Sequence, residues 1–345
     1  MKVYKYRGNF VRDLASLEND EFFAPTKDQL NDPCEGLVST DILIVQIEKM
    51  VEKFPHISNK MDNFKKNLKA SLSHIYTSGV YSLSKSHLDE LLWAHYANSH
   101  KGFCIEYELD TLLKFNKETV FKTDELFYFD VEYKFDPYAF TTRDMDDLGD
   151  RTDFMKKMLG IKSKKWDYED EFRIISIQSG IIKYDYRAVK SIYFGLKMEE
   201  EQKDEIMRKL QGRGIKYYQI ELKNNSYEFF DKSVEDLYKT DKKYLYSIAP
   251  ILPCAITNIE NLEYEPYFYK VAEIVRREPY CNSVLFVTID KENSKDKALV
   301  FIVSFFEKLP PAPVLKQSYS MEEIDKLYAE IDDLDIENIS KYQGN

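Results

Sequence analysis

The stretch 91–108, "LLWAHYANSHKGFCIEYE", changes its hydrophobic period within a few residues, and that switch constrains the fold more than any other feature of the chain. Leu88, Leu91, Leu92, His95 and Tyr96 make one stripe at helical spacing. Gly102 closes the helix, and Phe103, Ile105 and Tyr107 then alternate with Cys104, Glu106 and Glu108, as in a strand with one buried face. Ser86 and Asp89 have the spacing of a capping box ahead of the helix. On its apolar stripe, His95 reads as a hydrogen-bonded core histidine, and His100 falls in the last turn, where a cation complements the helix dipole.

The same alternation of periods runs along most of the chain. Val3 to Tyr6 reads as a short strand, and "FFAPTKDQLNDPCE" is a loop punctuated by Pro25 and Asn31-Asp32-Pro33. Two helices follow, on Ile44, Ile47, Val51 and Phe54 and on Met61, Phe64, Leu68 and Leu72. Strands are expected at Val80 to Ser84, within 125–140, at Phe172 to Ile177, in "VKSIYFGL" and at Ile215 to Leu222, with helices around Phe154 to Leu159 and from Met198 to Leu210. The implied fold class is α+β, a mixed and mostly antiparallel sheet with flanking helices. After about Phe230 the composition shifts, so residues 1–232 are read as the core domain and 233–345 as a small C-terminal α+β extension. That extension holds a helix over 260–278, a hairpin of Ser283 to Ile289 with Ala298 to Phe306, and an acidic amphipathic helix placing Ile324, Leu327, Ile331 and Leu334 on one face. Such a helix docks on its own core or on a protein partner.

Bulk properties exclude several classes. With 345 residues and 43% hydrophobic content the chain can bury one large core or two smaller ones. A formal charge of -11 gives no footprint for a phosphate backbone, so nucleic acid is not expected as a bulk ligand. Cys34, Cys104, Cys254 and Cys281 form no C-x-x-C pair and read as reduced thiols. The opening "MKVYKYRGNF" lacks an apolar h-region, and the longest apolar run, Ala298 to Phe306, falls far short of the ~20 residues a membrane helix needs. Cytoplasmic residence is therefore the expectation, with no membrane association.

Chemistry concentrates in "KKWDYEDEFRIIS", residues 164–176. In an extended chain Glu169, Glu171 and Arg173 share a face, and the arginine relieves one carboxylate. The bland reading is a salt-bridged, solvated strand edge. The sharper one is a glutamate pair at a strand entrance, poised against a positively charged, ribose-bearing substrate. A zinc site from His95, His100 and Cys104 lacks a fourth ligand and any reason to converge. A magnesium site from Asp32, Glu35, Glu169 and Glu171, as in a metal-dependent nuclease or phosphodiesterase, is the stronger metal alternative, although no metal is expected.

Three blocks carry a family resemblance: Asn31-Asp32-Pro33-Cys34-Glu35; Trp93-Ala94-His95-Tyr96-Ala97 with His100 and Gly102-Phe103-Cys104; and Trp166-Asp167-Tyr168-Glu169-Asp170-Glu171-Phe172-Arg173. Together they resemble a bacterial family catalogued as domain of unknown function 2971, over about residues 4–230, with Cys34 standing where an aromatic is usual. A second resemblance concerns chain order. Arg7 ends the first strand, Ser82 and Ser84 lie on a later strand, and Glu169 and Glu171 precede a further one, an order similar to the arginine, serine, glutamate triad of the ADP-ribosyltransferase fold. It implies an ADP-ribosyltransferase-like enzyme or NAD glycohydrolase that cleaves the nicotinamide–ribose bond of NAD, in a bacterial defence or toxin setting. Glu171 would stabilise the oxocarbenium-like charge, Glu169 orient or deprotonate an acceptor, Arg7 fork the pyrophosphate and Ser82 fix the strand geometry. Ser84, Tyr96, Trp166 and Arg173 complete the expected binding set for a nucleotide-type small molecule, with Tyr96 or Trp166 stacking on its ring. The third reading is a non-catalytic sensor or interaction module using the acidic C-terminal helix.

Overall fold

The computed structural model describes residues 1–120, 125–144, 150–239, 248–256, 262–294, 301–308 and 314–331. Two compact units emerge: Met1–Leu113 with Asp124–Lys242, and Lys114–Thr123 with Lys243–Asn345. The second unit thus recruits a short segment from the middle of the chain, which no shift in composition marks.

In the first unit, β1 (Lys2–Arg7), β2 (Glu21–Ala24), β3 (Val38–Ser39) and β4 (Gly79–Ser84) precede β5 (Phe103–Glu108). β6 (Leu126–Asp130), β7 (Glu132–Lys134), β8 (Tyr138–Ala139) and β9 (Ile161–Ser163) lead to β10 (Glu171–Ser176). β11 (Gly180–Lys183), β12 (Val189–Phe194), β13 (Lys216–Leu222) and β14 (Phe229–Val234) follow. Eight of these form one sheet in the order β14-β13-β12-β5-β1-β4-β10-β6. All neighbours are antiparallel except β12 and β13, so the fold is α+β with a mixed, mostly antiparallel sheet.

One pairing in that sheet is thin. β1 runs against β5 from Lys2 opposite Glu108 to Arg7 opposite Phe103, and β4 runs against β10 from Ser84 opposite Glu171 to Gly79 opposite Ser176. Between β1 and β4 the register is Tyr4 opposite Ser84 alone. Beyond that pair a side chain takes over a ladder role, for Lys5 Nζ donates to the Ser82 carbonyl at 2.6 Å.

Helices cover the sheet through patterns the sequence carries. α1 (Phe10–Glu18), capped by Asn9 Oδ1 accepting from the Arg12 amide, buries Leu14 and Leu17 against Val3, Tyr81, Leu83 and Ile105. α2 (Asp41–Lys53) and α3 (Ser58–Ser73) bring Leu43, Ile47, Met61 and Leu68 into a cluster with Val80, Phe127, Phe129 and Ile175. α4 (Glu90–Tyr96) packs Leu92 and Trp93 on the face carrying Tyr4, Tyr6 and Cys104. Trp93 is fully buried, with its ring nitrogen donating to the His87 carbonyl at 2.8 Å.

Three expectations around α4 are corrected here. Asp89, not Ser86, is the N-cap, and its carboxylate accepts from the Leu92 amide at 2.9 Å. His95 is exposed, because Trp93 occupies the centre of the buried face and the stripe is rotated from the one the leucines suggest. The helix ends at Tyr96, and Asn98, Ser99 and His100 follow with φ of 49°, 53° and 69°, so His100 sits in a left-handed loop and not in a last turn. Gly102 closes this loop against β1, where a Cβ would overlap the Arg7 carbonyl oxygen.

The second unit is a three-stranded antiparallel sheet of β15 (Cys281–Ile289), β16 (Phe301–Lys308) and β17 (Val314–Ser320) with helices Glu265–Val275 and Met321–Ala329. Ser320 and Glu323 form a capping box on the latter helix, whose Ile324 is fully buried in the unit's own core with Phe268, Val271 and Val287. The expected fourth apolar position of that helix, Leu334, lies outside the described residues, as does the connection 295–300. Among the described residues no helix is long and apolar enough to cross a membrane.

Candidate functional site

The acidic stretch resolves into a turn followed by a strand. Lys164–Glu169 winds as a 3-10 turn, Asp170 takes a left-handed φ of 41°, and β10 begins at Glu171. Glu169 therefore does not share an extended face with Glu171 and Arg173. It returns to them because the turn folds it back. Nor is this a solvated edge, for β10 lies between β4 and β6 and every one of its residues is buried.

Burying those charges requires partners, and the structure supplies them from distant parts of the chain. The Arg173 guanidinium, 0% exposed, grips Glu35 with both Nη atoms at 2.8 and 2.7 Å. Its Nε donates to Glu171 Oε1 at 2.7 Å, and Nη1 donates to the Leu159 carbonyl at 2.5 Å. Lys162 Nζ lies 2.5 Å from Glu169, 3.3 Å from Glu171 and 3.5 Å from Glu35. Tyr96 donates its hydroxyl to Glu169 at 2.6 Å, and the Glu171 amide donates to Tyr133 Oη at 2.8 Å. All three sequence blocks meet in this cluster: Glu35 of the first, Tyr96 of the second, and Glu169, Glu171 and Arg173 of the third.

The two glutamates are driven apart. Burial acts upward on both. At Glu171 the charges of Arg173 and Lys162 overcome it and hold the carboxyl down at about 2. At Glu169 burial wins over Lys162 and Tyr96, and the carboxyl sits above its usual range. One carboxylate is thus a permanent anion beside a second that exchanges a proton more readily.

Across from them, β1 and α1 present cations. Arg7 donates Nη2 to Tyr81 Oη at 3.0 Å and lies 3.7 Å from Asp13, while its buried Nε has no partner among the described residues. Lys5 stands over the Tyr81 ring, 4.8 Å from its centroid. Arg12 pairs with Asp13 at 2.9 Å and is largely exposed. Where β1 and β4 part, these groups and the carboxylates enclose one cavity of about 310 Å³. Lys5, Arg7 and Arg12 with Asp13 line the β1 side, and Glu35, Glu169 and Glu171 with Lys162 line the other.

Of the expected site residues, Arg7, Ser82, Ser84, Tyr96, Glu169 and Glu171 all line this cavity. Arg173 and Trp166 do not. Arg173 spends its donors on Glu35, Glu171 and Leu159 and so acts as the internal counter-ion, while the half-buried Trp166 ring receives Lys162 at 4.8 Å from its centroid. Ser84 Oγ accepts from the Ser86 amide at 3.1 Å. Sequence reasoning did not identify Lys5, Lys162, Arg12 or Asn31. Only Lys5 left a signal, its two-residue spacing from Arg7 on the first strand. As for the alternative magnesium set, Asp32 caps its own loop by accepting from the Cys34 amide at 2.9 Å. Among the described residues no group of three or more His, Cys, Asp or Glu is placed to hold a metal ion.

No curated protein and no solved structure matches the chain. The family model described as "Protein of unknown function (DUF2971)" matches residues 92–174, a span that starts in α4 and ends within β10. Tyr96, Lys162, Glu169, Glu171 and Arg173 fall inside it, and Arg7, Glu35 and Ser82 fall outside. Over residues 92–174, which supply Glu169 and Glu171 to the cavity, the chain is similar to the DUF2971 family.

Proposed function

We propose that the cavity is the substrate site of an ADP-ribosyltransferase-like enzyme or NAD glycohydrolase acting on the nicotinamide–ribose bond, in a bacterial cytoplasm. The observation that carries this reading is the convergence of Arg7, Ser82, Ser84, Tyr96, Glu169 and Glu171 on one cavity, from segments far apart in sequence. The polarity of the cavity suits a ligand with an anionic pyrophosphate and a cationic reacting centre. Four free thiols support a reducing compartment.

In this mechanism the bond between ribose C1′ and the nicotinamide nitrogen breaks, and its electron pair leaves with neutral nicotinamide. The permanent charge of Glu171, fixed by Arg173 before substrate arrives, stabilises the oxocarbenium-like carbon. Water or another acceptor then bonds to C1′ and yields its proton to Glu169, whose raised pKa suits proton transfer. Arg7 takes the pyrophosphate through donors that include the unpartnered Nε.

The test is nicotinamide release from NAD by the full chain. Glu171→Gln is expected to lower the rate by about 100-fold or more, the scale of losing one preorganised electrostatic partner. Absence of both NAD binding and nicotinamide release in the wild-type protein would rule the reading out.

A further inference from the structure

Lys5 is a lysine whose surroundings weaken its hold on a proton. Its Nζ hydrogen-bonds a backbone carbonyl, that of Ser82, and no carboxylate lies within ion-pair distance among the described residues. The ring of Tyr81 lies beneath it, and Arg7 stands two residues away on the same strand face. Burial first, and then Arg7, lower its pKa to about 7, against weaker upward pulls from Glu171, Asp13 and Glu169. Lys5 nevertheless lines the cavity, as does Ser82, whose carbonyl its amine meets. One N–H held by Ser82 fixes the nitrogen in place and leaves its lone pair for chemistry.

We propose that Lys5 is a covalent amine site: its Nζ condenses with the carbonyl carbon of an anionic aldehyde that enters the cavity, with Arg7 and Arg12 holding the anion. Neutral Nζ attacks the carbonyl carbon, both amine hydrogens depart with the carbonyl oxygen as one water molecule, and a C=N bond joins ligand to lysine. The step needs neither metal nor oxidant. It does not rest on the NAD reading, since an imine at Lys5 and nicotinamide release are separate measurements, and either result can stand without the other.

The experiment uses the full wild-type chain with pyridoxal 5′-phosphate as the probe, borohydride to reduce the imine, and peptide mass spectrometry to locate the label. Lys5 is expected to be labelled at least tenfold faster than any other lysine at pH 7, with a rate that levels off above a midpoint near 7. Surface amines instead continue to gain rate toward their ordinary pKa near 10.5. Inorganic pyrophosphate is expected to slow labelling of Lys5 and of no other lysine. Arg7→Met is expected to slow it about tenfold while leaving the surface lysines unchanged. Label distributed over surface lysines with Lys5 unmodified, or a Lys5 rate that follows the surface profile, overturns the proposal. So does indifference to both pyrophosphate and Arg7→Met. Because the primary readout is on wild-type protein, misfolding of a variant does not obscure the outcome.

Discussion

The two walls of the cavity handle charge in opposite ways. On the β10 side, Glu35, Glu169 and Glu171 are matched by Arg173 and Lys162. On the β1 side, Lys5 has a carbonyl in place of a carboxylate, and Arg7 keeps an unpartnered nitrogen. A buried network with its partners in place is rigid, and losing one member is costly. Donors left over at a cavity wall instead await something from outside. On the proposed reading the contrast divides the labour: one wall positions a negative charge, and the other receives a ligand's.

The contrast breaks most visibly in stability. Arg173→Met strands Glu35 and Glu171 in the interior and is expected to cost about 3–5 kcal/mol, against no more than about 1.5 kcal/mol for Arg7→Met, read from urea midpoints. Equal losses would show that the walls do not differ. A smaller effect follows from pH. Since the folded pKa of Glu171 lies below its ordinary value of 4.5, its contribution is complete above pH 4.5 and fades as pH falls toward about 2. The expected loss is about 3 kcal/mol. Unfolding midpoints across that window should retain the drop in Arg7→Met and lack it in Glu171→Gln. The smallest effect belongs to Trp166→Ala, which removes a contact with Lys162 and should cost about 0.5–1 kcal/mol. A larger loss would mean that the tryptophan supports the carboxylate wall and does not merely cover it.

Much of the fold was legible because it rests on periodicity. The alternation of Phe103, Ile105 and Tyr107 and the helical spacing of α2 and α3 are local signals and located the elements. Packing reassigned two faces: β5 is buried on both sides, Cys104 and Glu106 included, and α2 buries Leu43 with Ile47 while Ile44 and Phe54 stay exposed. The order Arg7, Ser82, Glu171 was likewise readable, and the structure brings those residues to one cavity. The counter-ion arrangement was not. Glu35 and Arg173 are separated by 138 residues, and no local pattern tells which carboxylate a buried arginine will take. Asp170 was opaque for a related reason: nothing in "YEDE" announces a left-handed residue, yet that residue separates the two glutamates into a turn and a strand. His95 was misread because two leucines set the apparent face of α4, whereas the single tryptophan, with more surface to bury, fixed the real one.

The single rung between β1 and β4 has a mechanical consequence. Each flanking group, five strands on one side and three on the other, is tied internally by ladders of several residues, so the large sheet amounts to two panels sharing a hinge. Side chains bridge the gap: Lys5 reaches the Ser82 carbonyl, Tyr6 the Ser86 carbonyl and Arg7 the Tyr81 hydroxyl. On the proposed reading, a molecule that lodges there and engages both panels acts as a wedge, and the twist of the β-layer is where its arrival would register.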